Sequence, residues 1–338
     1  MKLLRRLLFP FSLIYWAVTA MRNYLYDKGW KKSTSFPIPV IAVGNLSVGG
    51  TGKTPMVEYL IRLFSHRYTI ATLSRGYKRK SKGFILAGAG TTVEQIGDEP
   101  FQYHSKYQNV YVAVDANRVE GVQRLLAEAD DLQMVILDDA FQHRKIKAGF
   151  YVLLTAYEDP FYKDLLLPAG NLREGTSGVQ RADIVIVTKC PSDLSEESKT
   201  EIMNCIDKPA DRIFFSSIAY APFVRNNEKR LSVEEFGTHF IAVAGIAKPH
   251  YFYRHLNCKT EDTLTFPDHH RFSEADVEHI RKKAAGRKII TTEKDYMRLQ
   301  HALPDDVLYY LPIEMKILDR EKELKEFLNR YTTPLINN

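Results

Sequence analysis

The sequence predicts an α/β fold: a mostly parallel sheet flanked by helices, joined to a second, smaller α/β domain and preceded by an N-terminal interfacial helix. Three observations predict it. Short, continuous apolar runs alternate with helical stretches, and strands apolar on both sides belong to parallel sheets covered on both faces. The 338 residues exceed what one core usually organises. One apolar run ends in a glycine-rich turn that opens a helix, a join suited to phosphate.

The first element is amphipathic. Residues 1–32 carry Lys2, Arg5, Arg6, Arg22, Lys28, Lys31 and Lys32 against Asp27 alone, which accounts for the net charge of +6 and leaves the rest neutral. A neutral body offers nothing to nucleic acid, and no protein partner is expected. Residues 7–21 are uncharged, yet a membrane-crossing helix needs about 20 apolar residues. On a helix, Leu4, Leu7, Leu8, Phe11, Ile14, Tyr15, Val18, Met21 and Leu25 share a face. Lys2, Arg5, Arg6, Ser12 and Asn23 lie opposite, Arg22 intrudes on the apolar side, and Pro10 kinks or starts the helix. This pattern suits a helix lying on an anionic membrane surface. Two other readings stand beside it. One is a plain core helix. The other is a secretory signal cleaved near Val18-Thr19-Ala20, which the cytosolic nucleotide chemistry of the next motif disfavours.

A polar linker, 27–39, leads to a strand at 40–43 and a helix at 56–64. Strands at 69–73, 109–114, 134–137, 151–155 and 184–188 follow, with a helix at 119–129 and a basic loop at 74–80. The chain turns polar over 191–212, which places the domain boundaries at 1–32, 33–205 and 206–338. Beyond lie strands at 240–244, 288–291 and 307–311 and helices at 273–285 and 321–330, the first opened by a capping-box-like Ser273-Glu274-Ala275-Asp276. Cys190, Cys205 and Cys258 are dispersed and form no CxxC pair, so neither a disulfide frame nor a zinc site is indicated.

The strongest chemical signal is Ser47-Val48-Gly49-Gly50-Thr51-Gly52-Lys53-Thr54, between a strand and a helix. Glycine-freed amides there wrap the phosphates of ATP, Lys53 reaches the β/γ oxygens and the Thr54 hydroxyl ligates Mg²⁺. Position 47 is Ser where the full motif has Gly, so the match is to GGxGKT. The fold expected is therefore P-loop NTPase-like. The strand Met134-Val135-Ile136-Leu137 ends in Asp138 and Asp139, of which Asp138 is the favoured metal carboxylate. Thr188-Lys189-Cys190-Pro191 begins as a guanine-reading motif does, then has Pro in place of Asp, which argues against GTP. Val48, where variant-loop partitioning ATPases carry Lys, argues against those.

Gly44-Asn45-Leu46-Ser47-Val48-Gly49-Gly50-Thr51-Gly52-Lys53-Thr54-Pro55 resembles the P-loop of the tetraacyldisaccharide 4′-kinase family. Further blocks resemble that family in order: Ser74-Arg75-Gly76-Tyr77, Gly97-Asp98-Glu99-Pro100, Asp138-Asp139-Ala140-Phe141-Gln142-His143 and Leu167-Pro168-Ala169-Gly170-Asn171-Leu172-Arg173-Glu174. Ala244-Gly245-Ile246-Ala247-Lys248-Pro249, Phe266-Pro267-Asp268-His269-His270 and Thr291-Thr292-Glu293-Lys294-Asp295 complete the series. Ser47, Ala140-Phe141 and Asn171-Leu172 differ from commoner family residues without removing a catalytic group.

The resemblance implies ATP-dependent phosphorylation of the 4′-hydroxyl of a tetraacyl glucosamine disaccharide 1-phosphate, at the cytoplasmic face of a bacterial inner membrane. It implies an active-site cleft between the two α/β domains, completed by 206–338, and a base at Asp98 assisted by His269, with His270 ranked below it. A carboxylate can take the proton of a sugar hydroxyl as the bond to phosphorus forms. Asp98 would otherwise serve as a helix N-cap, and His269 as a loop brace. Arg75, Gln142, His143, Arg173 and Glu174 are candidate acceptor or phosphate contacts, Arg75 because its planar fork suits phosphate. Two rival functions are a membrane-tethered nucleotide switch and a kinase of a soluble sugar.

Overall fold

A computed structural model describes Arg5 and residues 7–268 and 270–336. Its strands, in chain order, are β1 (Val40–Asn45), β2 (Ile70–Ser74), β3 (Ile85–Leu86), β4 (Val110–Val114), β5 (Met134–Asp138), β6 (Phe150–Ala156), β7 (Ile184–Thr188), β8 (Ile213–Tyr220), β9 (Phe223–Arg225), β10 (Arg230–Ser232), β11 (Phe240–Ala244), β12 (Thr263–Thr265), β13 (Lys288–Thr292), β14 (Leu308–Leu311) and β15 (Ile313–Ile317). A nine-stranded sheet has the order β15-β8-β7-β6-β1-β5-β2-β4-β3, and a six-stranded one has the order β10-β9-β14-β13-β11-β12.

The first sheet is parallel from β8 to β4, with antiparallel strands at both edges. Its central strands are buried throughout because helices cover both faces, as continuous apolar runs require. Helices Lys53–Phe64 and Glu321–Ile336 share one apolar cluster with β1, β5 and β6, in which Met56, Leu60, Ile136, Leu324 and Leu328 are buried. Helix Arg118–Glu128 covers the other face through Val122 and Leu125.

The expected boundary at 205/206 does not follow sheet membership. β8, β15 and the final helix belong to the first sheet, so the second unit is β9 to β14, inserted between the two antiparallel strands β8 and β15. The chain leaves through Ala221 and returns through Pro312, where the Ala221 amide donates to the Pro312 carbonyl at 2.9 Å. The two units share a core cluster, in which Ile96, Phe101 and Val114 pack with Val277, Ile280 and Tyr296.

Helix Phe9–Asp27 starts with Pro in its first turn, as expected. It is turned inside out. Ser12 is buried, accepting from the Ala169 amide (3.1 Å) and donating to the Leu166 carbonyl (3.0 Å). Tyr15 donates to the Arg173 carbonyl (2.8 Å), Asn23 to Glu174 (2.7 Å), and Arg5 to the Gly170 carbonyl (2.5 Å). Leu13, Ile14, Trp16, Val18 and Met21 are each more than half exposed. Tyr15 thus leaves the apolar face where the sequence placed it, and Leu13 and Trp16 join that face. A core helix would do the reverse, since a large apolar side chain left in water forgoes roughly 1.5–3 kcal/mol of burial. Among the described residues, no helix is long and apolar enough to cross a membrane.

Candidate active site

The site lies at the C-terminal ends of β1, β5 and β7, where open α/β sheets place ligands. Val43 of β1 is in register with Asp138 of β5, so the end of the phosphate-loop strand and the carboxylate stand side by side. The loop rises from Leu46. Arg173 donates its amide to the Leu46 carbonyl and Val48 to the Asn171 carbonyl, both at 2.8 Å. Ser47 is bridged to Leu172. Val48, Gly49 and Gly50 form the exposed tip, and Gly52, at φ +86°, turns the chain into helix Lys53–Phe64 where a side chain would be strained.

Lys53 reaches back to Asn45 (3.3 Å) and Asp139 (3.6 Å). Arg173 contacts both oxygens of Asp139 at 3.1 Å. Burial pushes the Asp139 carboxyl up, but Lys53 and Arg173 more than offset this and hold it below its ordinary value. Asp138 goes the other way: burial, then the Asp139 charge, raise it to about 6. One Asp138 oxygen takes weak contacts from Ser74 (3.4 Å) and Tyr103 (3.3 Å). The other is buried with no hydrogen-bond partner among the described residues, and so is the Thr51 hydroxyl. Orphaned buried oxygens on a carboxylate and a loop threonine, beside Lys53 and Thr54, fit a metal-bound polyphosphate.

Asp98 opens helix Asp98–Lys106, after Gly97 at φ +90°. A Cβ on Gly97 would meet the Tyr77 carbonyl at 3.0 Å, so glycine lets this turn close on the 76–77 loop. Asp98 is the first helical residue rather than the cap. Its carboxylate accepts from Arg298 of helix Glu293–Leu299 in the second unit. Glu99 pairs with Lys294 (2.7 Å) in the same way. Tyr103, five residues or about 7.5 Å of rise beyond Asp98, touches Asp138, so the helix that Asp98 opens meets the end of β5. His269 lies outside the described residues. His270 bonds Asp276 (3.0 Å) and stacks on Phe266 within its own unit.

The remaining candidates divide. Gln142 donates to the Asn45 carbonyl (2.8 Å) and to Glu174 (2.9 Å). Glu174 is buried and also receives Asn23 and Arg181 (2.8 Å), so it braces the site against the N-terminal helix. His143 is held neutral, its pKa lowered to about 4 by burial and then by Arg118. Arg75 is exposed, close enough to Arg118 and His143 to lower both. Sequence reasoning missed Asn45, Tyr103, Arg118, Lys189 and Arg298. Arg118 is fully buried and bonds the Asp115 and Asp138 carbonyls, the latter at 3.3 Å. Asn45 and Lys189 stood inside motifs that were read for other purposes; the others had no local signal.

The chain matches the family described as tetraacyldisaccharide-1-P 4′-kinase over residues 4–333. It is 52% identical to the tetraacyldisaccharide 4′-kinase of Flavobacterium johnsoniae over 98% of each chain. It is 51% identical to that of Flavobacterium psychrophilum over 100% of each. Among solved structures it is similar to LpxK from Aquifex aeolicus in complex with ATP, at 32% identity and a TM-score of 0.80, covering 97% of this chain and 99% of that one.

Proposed function

The chain belongs to the tetraacyldisaccharide-1-P 4′-kinase family, and from that premise we propose how its cleft phosphorylates the 4′-hydroxyl of a tetraacyl glucosamine disaccharide 1-phosphate with ATP. The observation that carries the reading is the meeting of the loop 47–54, Asp138 and the Asp98 helix at the C-terminal ends of β1 and β5.

Amides of the loop and Lys53 hold the β- and γ-phosphates. Thr54, Asp138 and Asp139 are the residues that would hold Mg²⁺, which when bound neutralises charge on the bridging phosphate oxygens. Asp98 accepts the proton of the 4′-hydroxyl as its oxygen bonds to the γ-phosphorus and the bond to the β-phosphate oxygen breaks, leaving ADP. His269 shares or orients that proton. Arg173, fixed against the Asp139 carboxylate that Lys53 also contacts, and Arg75 and His143, which lie near each other, are the groups offered to the γ-phosphate or the acceptor headgroup.

The acceptor's acyl chains stay in the bilayer, so the cleft must come to the headgroup plane. The outward apolar face of helix Phe9–Asp27 supports a peripheral or monotopic placement at the cytoplasmic face of the inner membrane. The test is incubation with ATP, Mg²⁺ and the tetraacyl disaccharide phosphate in mixed micelles, with product mass as readout. Gain of one phosphate on the acceptor is expected. ATP hydrolysis that proceeds equally without acceptor would sink this reading in favour of a nucleotide switch.

A further inference from the structure

Thr188 and Lys189 close β7, two strands from β1, and opened a motif whose guanine-reading half is missing. Both nevertheless touch the phosphate loop. The Thr188 hydroxyl, fully buried, donates to the Thr51 carbonyl at 2.7 Å. The Lys189 ammonium donates to the Gly50 carbonyl at 2.5 Å. Two successive loop carbonyls are therefore tied to two successive residues, the last of β7 and the first beyond it.

Peptide planarity gives this a consequence. In a trans peptide the carbonyl of one residue and the amide of the next point in opposite directions. Drawing the Gly50 and Thr51 carbonyls outward toward β7 turns the Thr51 and Gly52 amides the other way. There the first amides of helix Lys53–Phe64 lack intrahelical partners. The Thr51 amide meanwhile rests on the Gly49 carbonyl at 3.0 Å, a short internal contact that a phosphate oxygen can displace.

Lys189 also adopts φ +59°, the left-handed region where glycine is favoured and a lysine is strained. Asp139, the first residue past β5, does the same at φ +48° and turns its carboxylate to Lys53 and Arg173. Both residues that leave a sheet strand in this backbone state aim a charged group at the phosphate loop or its lysine. Desolvation, then Lys248 and Lys294 from the second unit, lower the Lys189 pKa, partly offset by Asp159 and Glu158.

We propose that Thr188 and Lys189 are positioning residues for the nucleotide, holding the Gly50 and Thr51 peptides so that the loop amides face the ATP phosphates. The remnant of a base-reading motif here serves the phosphate end. The proposal rests on nucleotide binding alone and is independent of the base and of the acceptor.

The test uses the full chain and no acceptor: titration of a fluorescent ATP analogue, and of ADP in competition, against parent, Lys189→Met, Lys189→Arg and Thr188→Val. Loss of one charge-assisted hydrogen bond should weaken nucleotide binding roughly tenfold in Lys189→Met. Lys189→Arg should recover most of the affinity, and Thr188→Val should weaken it in the same direction. In turnover, KM for ATP should rise in Lys189→Met while KM for the acceptor stays within about twofold. Nucleotide affinity unchanged in a folded Lys189→Met protein overturns the proposal, as does a fall in kcat with KM for ATP unmoved. Should Lys189→Met fail to fold, weakened binding in a folded Thr188→Val protein supports the proposal and unchanged binding there overturns it. A protein that binds nucleotide as expected but phosphorylates no lipid would refute the acceptor reading and leave this one standing.

Discussion

Arg298 donates to the carboxylate of Asp98, so a helix of the inserted unit grips the residue proposed as the base of the first. Arg298 is itself held by Asp295 at 3.2 Å. Asp295 in turn accepts from the Gly245 amide and the Thr292 hydroxyl, at 2.8 and 2.7 Å. The direction in which Asp98 points is thus set from the second sheet. Asp98→Asn should lower kcat by about 10²–10⁴-fold with nucleotide affinity retained. Arg298→Met should lower kcat/KM for the acceptor about tenfold or more, by freeing the carboxylate from its orientation, and Arg298→Lys should lose less. Wild-type rates in Asp98→Asn would remove the base.

Between the two units Glu58, Lys106 and Glu293 form a buried ion cluster, with Lys106 at 2.7 Å from Glu58 and 2.9 Å from Glu293. Burial, then the Glu58 charge, raises the Glu293 carboxyl from the ordinary range to about 7. In that window the folded chain holds a proton that the unfolded chain, ionising near 4.5, has released. Stability therefore falls as pH rises from about 4.5 to about 7, and the loss persists above. Glu293→Gln should flatten this slope, so that its stability relative to the parent improves from pH 5 to pH 8, with Lys106 still paired to Glu58. Thermal melts at pH 5 and pH 8 decide; an unchanged slope would refute the assignment.

Replacing Leu13, Trp16 and Val18 by Ser together should change thermal stability little, since all three are exposed. The same change should weaken binding to vesicles containing anionic lipid by about 10²-fold, at roughly 1 kcal/mol per side chain withdrawn from the bilayer. Sedimentation with vesicles reads the effect. Equal sedimentation of parent and variant would leave the helix without a membrane role.

Glu174→Ala removes the acceptor shared by Asn23, Gln142 and Arg181. Stranding Arg181 should cost roughly 3–5 kcal/mol, read by urea denaturation. Glu174→Gln should cost less, because an amide oxygen still accepts. Acceptor KM should rise with the loosening of the N-terminal helix even where the protein remains folded.

Much of the first sheet was legible because its strands are apolar on both sides: the stretch read at 184–188 is β7, and the one at 134–137 lies in β5. β8 and β15 were not. Ile313-Glu314-Met315-Lys316-Ile317 alternates, as an edge strand with one wet face does, and nothing local says which sheet it joins. The phosphate loop was readable because its chemistry is contiguous. Arg298 and Arg118 were not, because each acts on a residue brought to it by folding, 200 and 20 positions away. The N-terminal helix was legible in its periodicity, with Ser12 and Asn23 read opposite the apolar face. That this polar side, joined by Tyr15, seats on the 166–174 loop was not, because the loop that accepts Ser12 and Tyr15 is brought there by folding.

Because the inserted unit is strung on two adjacent crossings, at Ala221 and Pro312, joined to each other by a backbone bond, it hangs as a door does on a pair of coupled leaves rather than on a single thread. The shared core around Ile96, Phe101, Val277 and Tyr296 presses the leaf shut against the frame, so the Arg298 side is fixed both at its hinge line and across its face.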